Sequence, residues 1–189
     1  MKEKFINAIK SLDKKSILIS LGIAIFCIIL DQFTKYIIET KMTLHQSIPV
    51  IEGFFSITSH RNTGAAWGMM SGKQTLFIIL TAVMLIGIVF LYVKAPEDKK
   101  FTPLRITMAV LAGGAIGNFI DRVSKGYVDD FIDFHLINFP VFNFADICVC
   151  ISMFVLVFLI IFKYKDDDLN FLKFKKNNKE QERDSDKTT

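Results

Sequence analysis

Six aspartates stand where a carboxylate could do chemistry. Asp31 and Asp121 each end a run of apolar residues, and Asp146 is the third residue of another run. Asp129, Asp130 and Asp133 lie in the short segment that precedes Asp146. Two carboxylates held close together cannot both ionise easily, so one takes up a proton. Such a pair can activate water with one acid and protonate a departing amine with the other. Polar neighbours recur at helical spacing. Asn118 lies three residues before Asp121 and four before Arg122, and Asn143 lies three before Asp146. Amides there can donate to a carboxylate or a substrate carbonyl without adding charge. Arg122 can neutralise Asp121 or bind an anionic headgroup, and Lys35 can serve Asp31, four residues earlier.

Other chemistries have weaker signals. There is no His-x-x-x-His spacing, and His45, His60 and His135 are scattered over polar segments. No serine near an apolar run has a lysine or histidine partner at an evident spacing. A two-aspartate hydrolase is therefore the leading enzymatic reading, with no metal or other cofactor implied. Each acid also has a plainer reading. Asp146 or Asn143 can cap a helix, Asp130 can be a loop charge, and Asp31 with Lys35 can be an i,i+4 pair that fixes a helix end.

The elements that must bring these residues together follow from hydropathy. The 189-residue chain is 51% hydrophobic and gathers its apolar residues into four blocks, at residues 16–38, 75–93, 106–120 and 144–162. A bilayer core about 30 Å thick takes about 20 helical residues to cross. The expected fold is therefore an all-α membrane bundle of four transmembrane helices. The first block lacks a small-x-small cleavage site and reads as an uncleaved span rather than a secretory signal. Seventeen basic residues fall in the amino-terminal segment, the link between the second and third spans, and the tail, against five in the other two loops. The positive-inside rule then puts both termini in the cytoplasm. Asp31, Asp121 and Asp146 all fall at the outer ends of their spans, and ionisable groups at membrane depth are functional candidates.

Three divisions are expected: a cytoplasmic segment at residues 1–15, a catalytic membrane domain at 16–163, and a disordered cytoplasmic tail at 164–189. Only the loop after the first span has strand character, at residues 48–51 and 54–59, which suggests a small extracytoplasmic β element. Trp67 suits the membrane interface. Gly113 and Gly117, four apart, offer a face for close helix approach. Cys27, Cys148 and Cys150 read as small apolar filler. The excess of basic residues is accounted for by topology and anionic lipid, without nucleic acid.

Five motifs then occur in order. They are Asp31-Gln32-Phe33-Thr34-Lys35, Asn62-Thr63-Gly64-Ala65-Ala66, the run from Gly113 to Arg122, Val128-Asp129-Asp130-Phe131, and Phe142-Asn143-Phe144-Ala145-Asp146. Over about residues 18–162 the chain closely resembles bacterial lipoprotein signal peptidase, also called signal peptidase II. The resemblance implies an aspartyl endopeptidase of the bacterial cytoplasmic membrane, with its site near the outer face. Its substrates would be prolipoproteins, cut just before a cysteine that carries diacylglyceryl. It implies Asp130 and Asp146 as the catalytic pair. Asn62, Asn118, Asp121, Arg122 and Asn143 would shape the site and engage substrate, and Asp31, Lys35, Gly113 and Gly117 would support it. The implied partners are the lipid-modified substrate and membrane phospholipid, with no obligate protein partner. One departure stands out: the residue before the catalytic acid, usually apolar in this family, is Asp129, expected here to be a solvated surface charge.

Two rival classes remain. A small proton-coupled transporter would use the aspartates as a relay, but that reading expects acids near mid-membrane and internal repeats. A non-catalytic assembly factor would tolerate Asp→Asn changes.

Overall fold

The structure, a computed structural model, describes residues 13–64, 72–135 and 139–172. Among these are four helices long and apolar enough to cross a membrane. Helix α1 spans Lys14–Lys41, and its first turn is capped by the Asp13 side chain, which accepts from the Lys15 and Ser16 amides. Its 28 residues run to about 42 Å, longer than the bilayer core. Helix α2, Gln74–Lys94, stops before Ala95-Pro96, where the proline disfavours a helical residue ahead of it. A short 3₁₀ turn at Lys99–Phe101 leads into α3, Thr102–Ser124, which carries Pro103 in its first turn, where a missing N–H costs nothing. Helix α4, Phe144–Phe158, widens into a π turn at Leu159–Lys163.

Helix α3 is the central post. Of its apolar window 61% is buried, against 11–22% in the other three spans, whose exposed Leu, Ile, Val and Phe side chains suit a lipid environment. The glycines explain how α1 and α4 come so close to α3. A Cβ on Gly113 would lie 2.8 Å from Ala24 O and Cys27 Cβ of α1. One on Gly114 would lie 2.7 Å from Ala145 O and 2.8 Å from Cys148 Cβ of α4. Cys27 and Cys148 are thus buried beside these glycines, whereas Cys150 is exposed; all three are free thiols.

The β element is larger than the sequence suggests. Strands β1 (Ser47–Ile51) and β2 (Phe55–Asn62) pair antiparallel where strand character was expected, and β3 (Val128–Phe134) adds a third antiparallel strand beside β2. The segment between the third and fourth spans is therefore a strand rather than a loop. Its Val-Asp-Asp-Phe-Ile-Asp-Phe sequence hides the alternation, because both faces are largely buried. The tail also departs from expectation. Residues Asp168–Leu172 form a 3₁₀ turn, and Leu169 and Phe171 pack on the apolar cluster of Phe101, Leu104, Met108 and Tyr164. The remainder of the tail, the amino-terminal twelve residues and Trp67 lie outside the described residues.

Candidate active site

The carboxyl ends of α1 and α3, the amino end of α4 and strand β3 meet at one end of the bundle. Asp130, on β3, is 1% exposed. Its Oδ1 accepts from Asn143 Nδ2 at 2.7 Å, and its Oδ2 from Asn62 Nδ2 at 2.9 Å. Burial, and then the charge of Asp146, push its carboxyl up to about 7. Asp146 opens α4. Its Oδ1 accepts from Asn118 Nδ2 at 2.7 Å, and its Oδ2 from the Asn143 backbone N–H at 3.1 Å. Asn143 Oδ1 in turn accepts from the Asp146 N–H at 3.0 Å, completing a reciprocal capping box. Capping and chemistry thus fall on the same residues: the box fixes the Asp146 side chain while orienting Asn143 towards Asp130.

The two acids are joined by amides. Asn143 Nδ2 donates to Asp130 and also, at 3.1 Å, to Asn118 Oδ1, while Asn118 donates to Asp146. Asn143 is completely buried, and both ends of its amide are engaged. Asn62 divides its amide between Asp130 and the Gly64 N–H, 2.8 Å from Asn62 Oδ1, so it makes a turn and holds an acid at once. Each of the three asparagines expected at the substrate donates to one of the two carboxylates.

A second polar layer backs the first. Lys35 is 1% exposed, and its Nζ lies 2.8 Å from each of Asp31 Oδ2, Asn118 Oδ1 and Asp121 Oδ2. It donates hydrogen bonds to Asp31 and Asn118 and forms an ion pair with Asp121. Asp31, more than the end of a helix, reaches α4: its Oδ1 accepts from the Ala145 N–H at 3.0 Å, one residue before Asp146. A Cβ on Gly117 would lie 2.5 Å from Asp31 Oδ2, so only glycine leaves room for that carboxylate. Asp121 is fully buried and pairs with Lys35, not with Arg122. Arg122 instead lies over the Phe77 ring at 5.3 Å and donates to Asn118 O at 3.4 Å. Its buried Nε has no acceptor among the described residues.

Several contributors were not singled out as site residues. Gln32 Nε2 lies 3.2 Å from Asp31 Oδ2, Gly117 O and Asp121 Oδ1, tying α1 to α3. An amide beside a buried acid in an apolar helix was the available signal. Asp129 is not solvated: it is 5% exposed, its Oδ2 2.7 Å from Lys125 Nζ. Lys125 in turn lies 2.8 Å from Glu39 Oε2. The scattered histidines collect on the sheet. The His45 and His60 rings are 6.3 Å apart, and His135 Nε2 lies 2.9 Å from Ser56 Oγ. Burial and the neighbouring His45 lower the pKa of His60.

A buried acid on a strand and a second on a helix are thus joined through amides and backed by a lysine. Comparisons with known proteins agree on a family. Residues 23–162 match the family model described as signal peptidase (SPase) II. A lipoprotein signal peptidase of Staphylococcus aureus (strain MRSA252) is 44% identical over 144 residues, covering 75% of this chain and 87% of that protein. A bacterial membrane enzyme solved by the in meso method at 2.3 Å resolution superposes with a TM-score of 0.69 at 41% identity, covering 84% of this chain and 93% of its own. A second such structure, at 1.9 Å, gives 0.68 at 42% identity over 77% and 94% of the two chains.

Proposed function

The chain belongs to the signal peptidase II family, and from that membership we propose that Asp130 and Asp146 are the acids with which it cuts signal peptides from prolipoproteins. It is a multi-pass bacterial membrane peptidase. The observation that carries the assignment is the shared Asn143, which donates to Asp130 while capping the helix that holds Asp146 in its first turn. Two acids remote in sequence are thereby held in one polar network.

The reaction then proceeds by general acid–base catalysis. A water between the acids attacks the scissile carbonyl and gives its proton to the ionised carboxylate. The protonated partner supplies its proton to the departing amine as the tetrahedral intermediate collapses. The dyad is left with one proton, ready for another turnover. Burial favours holding the resting proton on Asp130, although a coupled pair titrates as a unit. Asn62, Asn118 and Asn143 orient the carboxylates. Lys35, Asp31, Gln32 and Asp121 fix the helices that carry them. Arg122, with a buried N–H unclaimed among the described residues, is the group available to a substrate carbonyl or lipid headgroup.

The substrate carries diacylglyceryl on the cysteine after the cut and enters laterally from the membrane. Phospholipid surrounds it, and no protein partner is required. The distribution of basic residues supports cytoplasmic termini and a site at the outer face. A transporter finds no support, since the acids gather at one end of the bundle and do not line a path across it.

Asp130→Asn and Asp146→Asn should each insert and fold yet lose cleavage of a diacylglyceryl-modified precursor by about a hundredfold or more. Near wild-type turnover in either purified variant would refute the pairing.

A further inference from the structure

Asp129 and Asp130 are adjacent on β3, and side chains along a strand alternate between faces. Only one of them can face Asp146, and a slip of one residue would exchange them. Two features bear on which is presented. The β2–β3 ladder shifts register between Ile57 and His60, so that Asn62 pairs with Val128 and lies on the same face as Asp130. Without that shift Asn62 would share a face with Asp129. On the opposite face, the Asp129 carboxylate is taken by Lys125, the residue that ends α3, at 2.7 Å. Gly126, at φ +75°, makes the turn from that lysine into the strand. Lys125 is itself braced at 2.8 Å by Glu39, in the last turn of α1.

Resting on the reading of Asp130 as catalytic, we propose that Lys125, braced by Glu39, is a positioning residue that captures Asp129 and so presents Asp130 to Asp146. A carboxylate as buried as Asp129 calls for a cation. Its cross-strand partner Arg61 lies over the Tyr127 ring, and the cation within ion-pair distance is Lys125, next to the end of α3 and braced from α1. The strand is thereby pinned at the residue next to the reacting one. Slippage towards the wrong aspartate costs an ion pair and leaves a charge buried alone.

The test uses the full chain, purified, with kcat and KM measured on a diacylglyceryl-modified precursor. Lys125→Met should lower kcat about tenfold to a hundredfold, with KM nearly unchanged, because a fraction of molecules presents the wrong acid. Adding Asp129→Val should restore kcat to within about threefold of wild type, since an apolar β-branched residue suits the strand and no second carboxylate competes. Glu39→Gln, at a half-exposed position, should lower kcat in the same direction by less. If Lys125→Met fails to fold, Glu39→Gln alone and Glu39→Gln with Asp129→Val carry the same comparison. An ordinary stabilising ion pair predicts instead that Lys125→Met lowers stability and Asp129→Val restores it, with kcat per folded molecule unchanged in both. Unchanged kcat in the single variants, or failure of Asp129→Val to rescue, overturns the proposal. An Asp130→Asn protein that still cleaves would instead overturn the dyad, whatever the Lys125 variants do.

Discussion

At the end of the bundle away from the paired acids Phe101 stacks on Tyr164 with ring centroids 5.1 Å apart and meets Phe171 edge-on at 5.9 Å, around Leu104, Met108 and Leu111. At the opposite, polar end the corresponding space is filled by Asp31, Lys35, Asn118, Asp121, Asp130 and Asn143. The largest fully enclosed side chains of the described molecule are all polar: Lys35, Asn143, Asp31, Asp121, Asp130 and Ser152. The contrast follows from the solvent. Lipid tails are as apolar as leucine, so burying a leucine between helices gains little beyond packing. A carboxylate or ammonium in the same place has few alternative partners, and its geometry is correspondingly strict. The apolar end can be assembled from any well-filling apolar set. The polar end works only if its buried charges find partners.

Lys35→Met tests this most severely. It keeps the length and apolar stem but leaves Asp31, Asp121 and Asn118 without their shared donor. Loss of one partner in a buried charge network costs about 3–5 kcal/mol, so the variant should be poorly stable in thermal unfolding and inactive. Adding Asp31→Asn and Asp121→Asn removes the stranded charges and should recover much of the stability without the activity. Equal stability of Lys35→Met and wild type would show that the polar end is no stricter than the apolar one.

The same contrast explains what could be read from the chain. The spans were legible because hydropathy alone sets them, and the convergence of Asp31, Asp121 and Asp146 followed from counting crossings. The motifs then supplied the family. The role of Asn143 was half legible: its spacing from Asp146 marked a cap, but its bond to Asp130 requires a strand that alternation did not reveal. β3 stayed hidden because Asp129, Asp130 and Asp133 are all buried, and an acidic segment suggests solvent. Asp129 was misread as solvated for the same reason, since its partner Lys125 lies in a different element. Arg122 and Asp121, adjacent in sequence, looked like a pair, yet successive helical residues point in different directions. Lys35, which no local spacing links to Asp121, takes the aspartate. The docked stretch at Leu169 and Phe171 was missed because two apolar residues amid charges make no periodic pattern.

A smaller effect concerns protons. Asp130 rises from 3.8 to about 7 in the fold, chiefly through burial and then through the charge of Asp146. Between those values the folded chain holds a proton that the unfolded chain has released, so stability falls as pH rises through that window and levels off above it. Asp130→Asn stays neutral throughout. It should therefore lack this fall, and be more resistant to thermal unfolding than wild type at pH 8 but not at pH 4. Cleavage by the wild type should decline above about pH 7 as the proton of the pair is lost. Parallel stability curves for the two proteins would mean that Asp130 is not held at such a cost.

The mildest change probes the apolar end. Phe171 contacts Phe101 on its edge and is only partly buried. Phe171→Ala should therefore cost less than the about 3–5 kcal/mol typical of a fully buried phenylalanine. The aromatic stack of Phe101 on Tyr164 remains, and Tyr164 Oη still donates to Lys100 O at 3.3 Å. Thermal unfolding should begin a few degrees earlier, with kcat and KM on the lipidated precursor both unchanged. A fall in kcat without a matching loss of stability would mean that the two ends communicate through α3, and that the aromatic cluster is more than interchangeable filling.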